Sequence, residues 1–273
     1  MVNSIKACLD KDSTISEIKL SLGAWKDIVC VVVEGDSDQR VFASLFASQV
    51  KLFQSYSGKM GVEEIVNYFS SNNRVIGIRD RDYLEKSPLP KLFLTDYCCL
   101  EIMIVSVHSC FERLYANYYR GNEKSEIVIR KCLSHLERYS KLRKLNEQNR
   151  LNLRLNDVGI NKAYDEDFDK MDKRLFDEVK RQNHNIDSSK YMFLLYDERC
   201  LSYEELLYIV NGHDFVNIFS HICQKYNKKA GNNLIEASIF SSFGEAEFEE
   251  TQLFSAILEY QNKNGVVILE KSV

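Results

Sequence analysis

Residues 28–42 read IVCVVVEGDSDQRVF. An unbroken apolar run, most of it β-branched, leads straight into Glu34, then Gly35, then Asp36 and Asp38. Such a run is the pattern of a strand buried on both faces, as in a parallel sheet, and it tolerates carboxylates only at its end. Residues 74–83, RVIGIRDRDY, repeat the arrangement: a second apolar run over 75–78 ends on Asp80 and Asp82. Fold and function both turn on whether these two ends meet.

The intervening sequence supplies the elements that bring them together. A helix is expected over 37–50, with Val41, Phe42, Leu45 and Phe46 as its apolar stripe. A short second strand follows at 51–54, then a helix striped by Val62, Ile65, Val66 and Phe69. The third strand covers 74–79 and the fourth 91–95, before a long helical stretch over 99–119. Crossovers through helices imply parallel neighbours and right-handed connections. The expected fold is therefore α/β, a parallel sheet flanked by helices over 25–120. A helical segment over 1–24 precedes it, and a mainly helical region over 121–273, for substrate or partner binding, follows. In that region helices are expected at 126–149, 166–181, 203–211, 214–226 and 247–260, with strands at 150–155 and 191–196.

The 273-residue chain has ordinary globular composition, with 45% hydrophobic and 28% charged residues and only 2 prolines. It contains no apolar stretch long enough to span a bilayer and no secretion signal at its start, so a cytoplasmic protein is expected. Its 8 cysteines form no C-x-x-C pair and read as buried thiols of a reducing compartment. His221 and Cys223 read as a packed helix face. The net charge of −4 does not advertise nucleic-acid binding, but charge is unevenly spread. Residues 130–154 are strongly basic, whereas 165–178 and 244–260 are acidic. Arg138, Lys141, Arg143 and Lys144, with Tyr139 among them, suit an RNA backbone; the same face also suits an acidic surface, including this chain's own 165–178 stretch. The acidic 244–260 stretch reads as a contact for a partner or a second copy.

In open parallel sheets, ligands bind beyond the carboxyl ends of the strands. Glu34 is the first residue past strand one, and Asp80 and Asp82 lie past strand three. With those strands adjacent, the carboxylates converge, and in extended backbone Asp80 and Asp82 face one side. Clustered carboxylates repel unless a cation neutralises them, and oxygen ligands suit Mg²⁺ or Mn²⁺. Such an ion activates water and stabilises charge on a phosphate, with Glu34 as ligand or proton carrier. The plainer alternatives are a solvated turn at Asp80 and Asp82, and helix capping by Asp36 and Asp38. Lys59, in a glycine-flanked loop after strand two, reads as a phosphate contact or as a surface lysine.

These motifs resemble the TOPRIM domain, whose pattern is a strand ending in Glu-Gly with an acid further on, and a later strand ending in D-x-D. Here they are Glu34-Gly35 and Asp80-Arg81-Asp82, 46 residues apart. YSGKMGVEEIVNYF after strand two, CCLEIMI around Glu101 and IVNGHDFVNIF from Ile209 are similar to stand-alone TOPRIM nucleases that accompany ABC-type ATPases in bacterial anti-phage loci. The resemblance implies Glu34, Asp80 and Asp82 as catalytic residues and metal ligands, Glu101 as a further ligand, and Gly35 and Asp38 as supporting residues. It implies a Mg²⁺- or Mn²⁺-dependent endonuclease, held inactive by an ATPase partner until a phage trigger releases it. Its target would be RNA, tRNA foremost, with translation arrest as the outcome. DNA cleavage by the same site, or a TOPRIM module that regulates an ATPase without chemistry, are the alternatives. An active homodimer is expected because it brings two sites onto one substrate. The chain has no P-loop: around Ser57-Gly58-Lys59, Phe53 stands where the first glycine belongs and Met60 where Ser or Thr belongs.

Overall fold

The valine-rich run forms the strand expected of it. In the computed structural model, which describes residues 10–270, β1 (Val29–Val33) is buried at every position. It is flanked on one side by β2 (Val50–Gln54) and on the other by β3 (Val75–Arg79), and β4 (Leu92–Leu94) extends the sheet beyond β3. All three pairings are parallel, with Val31 opposite both Leu52 and Ile76. The order β2-β1-β3-β4 reverses beside β1, so the connections leaving β1 and β3 diverge at their carboxyl ends. That is where an open α/β sheet leaves a crevice.

Helices α1 (Lys11–Ala24) and α3 (Gly58–Tyr68) cover one face. Cys30 and Val32 of β1 meet Ile15 and Ile18 of α1 and Val62, Ile65 and Val66 of α3 in a single apolar cluster. Helix α2 (Asp36–Ala43) buries Val41 and Phe42. It ends well before residue 50, because Ser44 and Leu45 donate to the carbonyls of Val41 and Phe42 and tighten the last turn. The apolar stripe reads through that turn because Phe46 still stacks on Phe42, with ring centroids 5.3 Å apart.

The chain divides into two compact units. One holds the sheet and comprises residues up to Leu100 and from Phe243 onward; the other is Glu101–Ser242. The returning acidic segment forms two helices, Glu245–Glu249 and Gln252–Asn264, rather than one over 247–260. Asp96 anchors the second by accepting the backbone N–H groups of Gln252 at 2.7 Å and Leu253 at 2.8 Å, on top of the Thr251 N-cap. Phe248 packs edge-on against Phe42, and Tyr260 against Phe93 of β4.

The second unit is helical. Its longer members are His108–Tyr118, Ser125–His135, Glu137–Asn149, Phe168–Gln182, Gly212–Gln224 and Asn232–Ser241. Two expected long helices are broken, at Val107, whose backbone is extended, and at Leu136. Neither expected strand forms there. Arg150 and Asn152 take left-handed backbone at φ 51° and 58°, which no strand accommodates. Residues 189–196 form Ser189–Met192 and a 3₁₀ turn, Phe193–Tyr196, whose Phe193 and Tyr196 side chains are exposed rather than packed in a sheet. Cys30 through Cys223 are free thiols, and His221 lies against the Tyr164 ring, as a packed helix face requires. Cys8 lies outside the described residues. No described helix is long and apolar enough to cross a membrane.

Gly77 of β3 is where α3 lies flat on the sheet. A Cβ there would stand 2.6 Å from Val66 Cγ2, 2.7 Å from Val62 Cγ1 and 2.9 Å from Leu92 Cδ1. Gly77→Ala is expected to cost about 1–3 kcal/mol through overpacking. Gly23→Ala, near the end of α1 with nothing within 4 Å of its Cβ, is expected to add about 0.5–1 kcal/mol. Urea unfolding of the two variants checks both signs.

Candidate functional site

The ends of β1 and β3 meet through a hydrogen bond. The backbone N–H of Asp80 donates to Glu34 Oε1 at 3.0 Å. Glu34 is held at the turn into α2 because Asp38 reaches back to accept the Gly35 N–H at 2.8 Å. Asp38 thus supports the Glu34-Gly35 turn by capping α2, and Asp36 pairs with Arg40 on the exposed side of that helix. Lys59, expected in a loop, stands on the first turn of α3, whose start lies beside the acids. Gly58, at φ +50°, would place a Cβ 3.9 Å from Glu34 Oε2, and the next residue, Lys59, reaches Asp82 Oδ2 at 3.1 Å.

Asp80 and Asp82 do not lie in one extended segment. β3 stops at Arg79, and Asp82 takes left-handed backbone at φ 50°, so the expectation of two side chains sharing one face through strand alternation fails. The segment before α4 (Leu100–Ser106) shapes the turn instead. Asp82 N donates to Cys98 O at 2.8 Å, and Leu100 N to Asp80 Oδ1 at 2.9 Å. Arg81 donates from its backbone to Thr95 Oγ1 and from Nε to the carbonyls of Thr95 and Asp96.

At the centre of the acids stands a residue absent from the sequence-based site. Arg79 is only 5% exposed. Its Nη1 meets Glu63 Oε1 and its Nη2 meets Asp82 Oδ2, both at 2.5 Å. Nε donates to the Asp80 carbonyl at 2.8 Å and lies 3.8 Å from Glu34 Oε1. The signal was an arginine closing an apolar strand, since a buried guanidinium demands carboxylate partners. Four carboxylates (Glu34, Glu63, Asp80, Asp82) against two cations (Arg79, Lys59) leave a formal excess of two negative charges, which suits one divalent ion. Burial pushes Glu34 up to about 7, opposed by Arg79 and the Asp80 N–H and reinforced by Asp82 and Asp38. The carboxylate set thus fits a hard, oxygen-bound cation.

Glu101 is found in the helical unit with His213 and Glu236, one donor atom from each lying within 4.8 Å of the others. The basic face expected over 138–144 is largely engaged in internal pairs. Arg138 pairs with Asp169 at 2.9 Å and Asp172 at 3.3 Å, the self-docking alternative for the 165–178 stretch. Lys141 pairs with Glu137 at 3.0 Å and Asp197 at 2.6 Å. Arg143 grips Asp214 through both Nε and Nη2 while lying over the Tyr139 ring. Lys144 is half-buried. Asp172, Glu137 and Asp214 are buried and demand these cations, whereas Asp169 and Asp197 are exposed partners at the rim.

Compared with known proteins, the chain matches no family model and no curated protein.

The raised Glu34 carboxyl makes a stability prediction. Between about 4.5 and about 7 the folded chain keeps the Glu34 proton that the unfolded chain releases, so this group's contribution is favourable at low pH and is lost as pH rises to 7. Without metal, Glu34→Gln is expected to match wild type near pH 4.5 and to exceed it by about 1–3 kcal/mol above pH 7, read by urea melts across pH. Arg79→Met strips the acids of their buried cation and is expected to lose about 3–5 kcal/mol at pH 7 in the same assay.

Proposed function

We propose that this chain is a divalent-metal-dependent endonuclease of the TOPRIM type, the effector of a bacterial anti-phage system. Its motifs resemble those of AriB, the TOPRIM effector of the PARIS system. On this reading a cytoplasmic ABC-type ATPase partner holds it inactive, a phage trigger releases it, and it cleaves RNA, tRNA foremost, as a homodimer. The substrate, the partner and the trigger rest on the resemblance alone.

One observation supports the chemistry above the rest. The carboxylate just past β1 accepts the N–H of the residue just past β3, so Glu34 and Asp80 share one space at the switch point of the sheet. Glu34, Asp80 and Asp82 would hold Mg²⁺ or Mn²⁺, which when bound supplies charge neutralisation for the phosphate and a more acidic water. Glu34, at about 7, is suited to hold or take a proton near neutrality. Lys59, on the first turn of α3, draws a phosphate toward the acids by exchanging Asp82 for it. Arg79 keeps Asp82 and Glu63 in place while that exchange occurs.

The same guanidinium favours a second reading. Acids already paired with a buried cation persist without a metal, as a non-catalytic module that regulates an ATPase requires.

The full chain, incubated with Mg²⁺ or Mn²⁺ and total tRNA, duplex DNA or single-stranded DNA, separates these readings. Wild type is expected to cleave tRNA, alone or with its ATPase and trigger present. Glu34→Gln and Asp80→Asn, with unchanged circular dichroism, are expected to slow cleavage at least about a hundredfold. Cleavage confined to DNA overturns the substrate, and undiminished cleavage by both variants overturns the site. A wild type silent under every condition, whose Glu34→Gln variant still regulates the ATPase, establishes the second reading.

A further inference from the structure

Glu101 lies on α4, His213 in the first turn of Gly212–Gln224, and Glu236 on Asn232–Ser241, so three separate helices supply the cluster. We propose that these three side chains form a second cation site, distinct in chemistry from the all-oxygen cluster. Its imidazole selects a borderline transition ion, Zn²⁺ foremost, over Mg²⁺.

Three observations carry this. First, the donors converge: one atom from each side chain lies within 4.8 Å of the others, and His213 Nδ1 stands 3.4 Å from Glu236 Oε1. Second, the backbone is built around the Glu101 head group. A Cβ on residue 212 would fall 2.5 Å from Glu101 Oε2 and 2.7 Å from its Cδ, so the carboxylate lies where any other side chain at 212 would stand. Gly212 thus seats Glu101 directly against the residue that precedes His213. Asn211 caps the same turn by accepting the His213 N–H at 3.1 Å, which holds the backbone carrying the imidazole. Third, His213 and Glu236 open onto a groove of about 520 Å³ that is also lined by Asn211, Asn217 and Asn232. The amides make that groove polar, and its volume leaves a path in for an ion and room for its remaining ligands.

The neighbouring acid does not compete. Asp214 is turned inward, 2% exposed, and is gripped by Arg143. The cluster is therefore two carboxylates and one imidazole, a mixed oxygen and nitrogen set with open positions, as in zinc sites that keep a water. The segments involved, CCLEIMI and IVNGHDFVNIF, are two of those singled out in the sequence, and here they meet as one site.

The inference stands apart from the nuclease reading, and one titration distinguishes them. Zn²⁺ binding to the full chain in a Cys8→Ser, Cys200→Ser background, which removes the one exposed thiol among the described residues and the cysteine outside them, is followed by calorimetry and by the ring ¹H–¹⁵N resonances of His213, assigned through His213→Gln. One equivalent of Zn²⁺ is expected to shift the His213 resonances, and excess Mg²⁺ is expected not to reverse the shift. His213→Gln and Glu236→Gln are expected to weaken binding at least tenfold. Gly212→Ala, which removes no ligand but displaces Glu101, is expected to weaken it as well. Glu34→Gln, which disables the proposed nuclease, is expected to bind Zn²⁺ like wild type. Unshifted His213 resonances, undiminished affinity in both glutamine variants, or full displacement by Mg²⁺ would each overturn the proposal.

Discussion

A guanidinium buried at the end of a strand organises the sheet edge. Removing Arg79 from water is costly, and only close carboxylates offset that cost. Glu63 comes from α3, Asp82 from the turn after β3, and Glu34 from the end of β1. Three elements are thus tied to one planar cation whose donors point in fixed directions. The parallel pairing of β1 with β3 brings their ends together, and Arg79 makes it tolerable for both to end in acid.

That arrangement explains why part of the site was legible in the sequence and part was not. Strands buried on both faces leave an unmistakable apolar record, and 28–33 and 75–78 carry it. A parallel sheet then dictates that residues at their carboxyl ends share an edge, so the meeting of Glu34 with Asp80 followed from pattern and topology. The conformation of Asp82 did not, because its left-handed backbone is set by Cys98 and Thr95, residues outside the local sequence. Arg79 and Glu63 were missed for a related reason. Sequence pattern reports burial as hydrophobicity, which a buried arginine contradicts, and the half-exposed Glu63 reads as an ordinary polar position of α3. The one hint, a charged residue closing an apolar strand, becomes specific only when its partner is known.

The helical unit shows the limit more plainly. Over 138–144, helical spacing presents a basic face, and periodicity alone cannot tell an open face from one laid against acids. Asp172 and Asp214 are fully or nearly fully buried, and each is held by arginine. Both stand on helices, where a polar residue's place in the sequence does not report the arginine it faces. Helix ends were misjudged likewise, since Val107 and Leu136 break helices without glycine or proline to mark the break.

The three residues of Asp80-Arg81-Asp82 are not interchangeable. Arg81 pins the turn to the carbonyls of residues 95 and 96. Asp80 links the carboxyl end of β3 to the start of α4 through the Leu100 N–H, while its own N–H engages Glu34. Asp82 is shared between Arg79 and Lys59 through a single oxygen. A divalent ion entering this space must therefore compete for Asp82 with two side-chain cations. Such an ion, on the proposed reading, would also favour the ionised Glu34, because nearby positive charge relieves the cost of ionising a buried carboxylate. The edge is thus poised asymmetrically. Glu34, just past β1, lies 3.8 Å from Arg79 Nε, whereas Asp82, three residues past β3, meets Arg79 at 2.5 Å and Lys59 at 3.1 Å. On the proposed reading, a phosphate that drew Lys59 away from Asp82 would lessen that asymmetry, leaving Asp82 to Arg79 and placing its own negative charge under the lysine.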